Sequence, residues 1–125
     1  SSERLRSLIE TGCPDPDGFQ ALVRGLGAPD LVSLGEAASR RIEASARAAA
    51  ARPGDPVPLE EIVRMVGCAK GAGLPLTLWE GQNLCIEMRN NYALMQERAG
   101  RGDRGAKRWT EAFRRAATCL GVRVA

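Results

Sequence analysis

The chain has 125 residues, room for one domain with a real core and not for several. Eighteen basic and fifteen acidic side chains leave a net charge of +3, too mild an excess for a dedicated nucleic-acid binder. Histidine is absent, which removes Ser-His-Asp and Cys-His catalysis and any His-ligated metal, and no apolar run is long enough to span a bilayer.

Residues 3–11 predict a short helix with Leu5, Leu8 and Ile9 on one face, stopped by Gly12-Cys13-Pro14. Asp15-Pro16-Asp17 starts a second: aspartate caps, proline occupies the first turn, and negative charge meets the positive end of the dipole. Its buried face is Phe19, Leu22, Val23 and Leu26. A third helix opens at Pro29-Asp30 and runs to about Arg52, with Leu31, Leu34, Ala38, Ile42, Ala46 and Ala49 inward. The small residues there admit a close neighbour. Ala48 to Ala51 have high helix propensity and little to bury, so that end is expected to fray or to pack on something outside the chain.

Three prolines in the six residues Pro53 to Pro58 make a stiff loop within one domain. The next helix buries Leu59, Ile62, Val63, Val66 and Ala69, carries Glu60 and Glu61 in its first turn where the dipole favours them, and stops at Gly71-Ala72-Gly73. Leu74-Pro75 then leads into the longest patterned segment, expected as one interior helix from Thr77 to about Ala99. Thr77 and Glu80 have capping-box spacing, and Leu78, Cys85, Met88, Tyr92 and Met95 share a stripe. Gln82 and Asn83 lie near it, to fix a neighbouring helix end or to contact a ligand. Gly81 predicts close approach by another helix.

A glycine-rich turn, Gly100 to Gly105, lacks the order of a phosphate-binding loop. The last helix, Ala106 to Leu120, turns Trp109, Ala112, Phe113, Ala116 and Leu120 inward and ends at Gly121, before a short tail of Val122, Arg123 and Val124. Its Arg104, Lys107, Arg108 and Arg115 make a candidate basic contact face for a phosphate-bearing partner. The plainer reading is a solvated face with Arg108-Glu111 and Glu111-Arg115 pairs. No stretch alternates as a strand would. The expectation is an all-α bundle of five to six antiparallel helices, residues 1–125 forming one domain.

The cysteines, Cys13, Cys68, Cys85 and Cys119, lack the paired spacing of a metal site. They are expected as reduced thiols in a cytoplasmic protein, with neither metal nor cofactor.

The stretch Leu74-Pro75-Leu76-Thr77-Leu78-Trp79-Glu80-Gly81-Gln82-Asn83-Leu84-Cys85-Ile86-Glu87 resembles, in its L-P-x-x-L-W-x-x-Q-N-x-x-x-E pattern, part of a helical C-terminal region of unknown function. That region follows the catalytic barrel in some bacterial family 57 glycoside hydrolases. Cys85-Ile86 stand where the pattern has aromatic residues. The resemblance implies a C-terminal fragment of a longer, α-glucan-acting enzyme. The family's catalytic carboxylates belong to the barrel, so no catalytic residue transfers and this chain alone is not expected to be an enzyme. The implied role is accessory: packing on the barrel or shaping its cleft. The binding candidates are Trp79, Gln82 and Asn83. Trp79 and Trp109 can stack on sugar rings where exposed, although their helical spacing among apolar neighbours predicts burial. The expected partner is another domain of the same polypeptide, or a second copy in a homodimer, with no membrane and no nucleic acid. The alternatives are a freestanding helical interaction module and, behind it, a small nucleic-acid-binding bundle.

Overall fold

A computed structural model describes residues 2–123. Val124, expected in the tail, lies outside the described residues. The described chain is all-helical: α1 (Ser2–Glu10), α2 (Pro16–Val23), α3 (Ala28–Ala51), α4 (Val57–Gly71), α5 (Trp79–Glu87), α6 (Arg89–Gly100) and α7 (Arg104–Leu120).

Where start and stop signals are local, they act as the residue types dictate. Asp15 caps α2, its Oδ1 accepting from the Gly18 amide at 3.1 Å, and Pro16 opens the first turn. Asp103 caps α7 in the same way, accepting from the Ala106 amide at 3.0 Å, so α7 begins two residues before the expected start. Gly73 and Gly121 take the left-handed conformation, φ +74 and +78, where α4 and α7 are brought to an end.

The helix α3 is the central member, packing against α1, α4 and α5, while α7 packs against α4, α5 and α6. Leu34, Ala38, Ile42, Ala46 and Ala49 of α3 are buried as their spacing requires, and Leu31 is half-buried. The far end of α3 is therefore held, since Ala49 is 1% exposed, and not left to fray. On α2, Phe19 and Val23 are buried, but Leu22 turns outward. The interior of α7 matches its expected face, with Trp109 stacked on Phe113 (centroids 5.1 Å, 8° between planes) and Phe113 against Tyr92 of α6 (5.0 Å). The indole N–H of the wholly buried Trp109 has no hydrogen-bond partner among the described residues, a cost of about 1–3 kcal/mol that the stack must outweigh.

Further expectations are corrected. The segment from Thr77 to Ala99 is not one interior rod: it starts at Trp79 and breaks at Met88, whose ψ of 1° lies in the bridge region, so the described residues form seven helices, not five or six. The break lets α5 lie on α3 and the end of α7 while α6 follows α7. The four thiols are not all free. Cys13, in the turn after α1, and Cys68 of α4 form a disulfide across 55 positions, leaving Cys85 and Cys119 unpaired. Nor is Trp79 in the core: it is 61% exposed, while Trp109 is 0% exposed.

Candidate functional site

The approach to α5 is set by α3. Residues 74–78 run across a seat of small residues, where Gly35 has no side chain beneath Pro75 and buried Ser39 accepts from the Thr77 amide at 2.9 Å. With its amide engaged there, Thr77 lies outside the helix, Leu78 takes the N-cap, and no side chain caps α5. Glu80 turns instead to Arg47 of α3, accepting from Nη1 at 2.9 Å. The expected capping box does not form, because α3 supplies partners that the local chain cannot see.

The three binding candidates separate. Gln82 points inward and donates from Nε2 to the Leu120 carbonyl at 2.7 Å, covering one of the bare carbonyls at the end of α7. The carboxamide thus fixes a neighbouring helix end, one of the two roles its position allowed. Gly81 is buried there, and a Cβ on it would meet the Leu120 methyls at an ordinary 3.5 Å. Trp79 and Asn83 face solvent one helical turn apart, and Ile86, 47% exposed, continues the same face of α5. Leu94 adds exposed apolar surface on α6, beside Asn90, Ala93 and Glu97.

Glu43 of α3 has Glu80 as a neighbouring carboxyl group. Burial first, then the hydrogen bond and charge of Glu80, hold the Glu43 carboxyl above its ordinary 4.5, against the pull of Arg47 and Arg40. The link from α3 to α5 here is the Arg47–Glu80 ion pair at 2.9 Å.

The candidate basic face also divides. Arg108 faces α4 and clamps Glu60 with two bonds, Nε to Oε2 at 3.1 Å and Nη2 to Oε1 at 2.6 Å. That guanidinium holds Glu60 below its ordinary 4.5. Arg115 pairs with Glu111 at 3.2 Å, as the helical spacing allows. Both line one hollow of about 210 Å³ with Glu60 and Val63. Lys107 lies on the other flank of α7, toward α6, and Arg104 is exposed in the first turn. Arg114 belongs to the same late basic cluster in the sequence but was left out of the expected contact face; it joins Lys107 on that flank, as the i, i+7 spacing signals.

No group of three or more acidic or thiol side chains capable of holding a metal occurs among the described residues. Burial raises the Cys85 thiol to about 11, which keeps it protonated and inert near neutrality. No helix among the described residues is long and apolar enough to cross a membrane. No family model matches the chain, and neither a curated protein nor a solved structure does.

Proposed function

We propose that this chain is a non-catalytic helical accessory domain of an α-glucan-acting glycoside hydrolase, seated through the outer face of α5 on a catalytic barrel and shaping the rim of its cleft. The observation that carries this reading is the exposure of Trp79 at the head of the Leu74–Glu87 stretch. A tryptophan offers ~150–250 Å², so an exposure of 61% leaves ~3 kcal/mol of burial unrealised in the isolated chain. Ile86 on the same face extends the patch, and a domain–domain contact is the ordinary use of such a surface. In this reading the helices are antiparallel neighbours serving as a rigid mount.

The full open reading frame tests it first: a barrel-sized segment upstream supports the proposal, and a start codon adjoining Ser1 defeats it. In a parent enzyme, Trp79 emission should shift to the blue relative to the isolated chain as the face is covered, and equal spectra would refute the docking. Titrating soluble glucan against the fluorescence of the isolated chain separates direct sugar stacking from packing, because only stacking changes Trp79 emission there.

A freestanding interaction module that dimerises through the same face is the second reading, favoured by the further exposure of Leu94 on α6. Sedimentation that is concentration-dependent in the wild type and monomeric in Trp79→Ser selects it. A cytoplasmic setting belongs to the accessory-domain reading. The Cys13–Cys68 bridge argues against that setting, because cytosolic disulfides are rare, and a thiol count on the protein isolated under alkylating conditions decides between them.

A further inference from the structure

The seam between α6 and α7 is unused by the accessory-domain reading. Two open hollows run along it, of about 590 and 410 Å³, and Gln96 and Arg114 line both. Arg114 therefore stands at their junction. Lys107 lies at one end and Arg123 at the other, where Arg89 donates to the Arg123 carbonyl at 2.9 Å. Among the described residues that line the seam, the one carboxylate is Glu111, already engaged by Arg115 at 3.2 Å.

Arg114 differs from the other arginines of its helix that face neighbours. Arg108 and Arg115 have carboxylate partners, whereas among the described residues Arg114 makes only a long contact, Nε to the Tyr92 hydroxyl at 3.4 Å. Among those residues its terminal N–H groups have no partner and suit the paired, planar bonding that guanidinium offers to phosphate or carboxylate. The larger hollow places Tyr92 and Val122 beside that cation, with Thr118 and Gln96 as polar neighbours. Tyr92 packs in turn against Phe113, with ring centroids 5.0 Å apart.

We infer that the α6–α7 seam binds a small organic oxyanion, a phosphate ester or a carboxylate, with its charged group on Arg114 and its apolar body against Tyr92 and Val122. The site is independent of whether the outer face of α5 meets a barrel.

The test is a heteronuclear NMR titration of the ¹⁵N-labelled chain with phenyl phosphate, benzoate and inorganic phosphate. The expected result is saturable shifts confined to Gln96, Thr118, Val122 and the Arg114 side-chain N–H, with the organic anions binding more tightly than inorganic phosphate. Comparison of the phenyl phosphate and benzoate arms tells which oxyanion is preferred. Arg114→Gln, with its melting curve matched to wild type, should weaken binding about tenfold or more. Contacts from the phenyl protons to the Val122 methyls provide a readout that needs no variant. Shifts absent from the seam, or undiminished in Arg114→Gln, overturn the site. Binding of a single-stranded oligonucleotide without any binding of the small anions also overturns it, in favour of a polyanion track.

Discussion

Replacing Gly35 with alanine opposes two well-defined effects. Glycine inside a helix is about 1 kcal/mol less favourable than alanine, so propensity alone predicts that Gly35→Ala stabilises α3. The structure predicts the reverse. A methyl at Gly35 would stand 2.9 Å from Pro75 Cγ, 3.0 Å from Cδ, and closer still to the Pro75 carbonyl oxygen. A backbone carbonyl cannot swing aside as a side-chain tip can. The segment is anchored on both sides, by the Leu74 amide on the Ala69 carbonyl at 3.0 Å and by the Thr77 amide on Ser39 at 2.9 Å. Overpacking costs about 1–3 kcal/mol, and loss of the Thr77–Ser39 bond about 1 more. Setting the propensity gain against these leaves a net loss of about 1–3 kcal/mol. Gly67 is the control: it lies in α4 with nothing near its missing Cβ, so Gly67→Ala should gain up to about 1 kcal/mol. Urea denaturation followed by circular dichroism, with m unchanged, reads both. A Gly35→Ala protein as stable as wild type, beside a stabilised Gly67→Ala, would refute the close passage of Pro75 over α3.

The Cys13–Cys68 bridge predicts two titratable thiols, not four, in the unfolded, unreduced protein, and a stability loss of about 4 kcal/mol on reduction from a loop of 55 residues; four thiols would remove it. Gln82→Ala should cost about 1 kcal/mol by leaving the Leu120 carbonyl short of its donor, whereas an unchanged melting curve would place Gln82 outside the packing of α7. The two perturbed glutamates give opposite pH limbs. Glu60, held low by Arg108, stabilises the fold above its ordinary 4.5, and that contribution fades as pH falls through its lowered value. Glu43, held high by burial and Glu80, contributes below 4.5 and loses that contribution as pH rises through its raised value. Stability–pH curves should therefore have a shallower acid limb in Glu60→Gln, with Asp103 supplying the remainder, and a flatter course above 4.5 in Glu43→Gln; an unaltered profile in either variant contradicts the corresponding contact.

What the sequence determined by itself is everything decided within a few residues. Asp15 and Pro16 start α2, Gly121 stops α7, and the spacing of Trp109, Phe113, Ala116 and Leu120 picks its inner face, because caps and helical periodicity act over one or two turns. The remaining features were settled by residues far away in the chain. Glu80 left its capping position for Arg47, 33 positions off, and Thr77 was drawn to Ser39, 38 positions off. No glycine or proline marks the break at Met88; it arises where α5 and α6 follow different neighbours. The spacing of Trp79 and of Trp109 reads alike, yet one faces water and the other the core, since periodicity defines a face and only packing says whether another helix covers it. The same holds for the basic residues of α7: Arg108 and Arg115 are paired with Glu60 and Glu111, while Arg114, toward α6, makes no ion pair among the described residues. Short-range preferences set where helices begin, end and turn their apolar sides. Which charges are cancelled and which apolar surface stays bare depends on what the fold brings alongside.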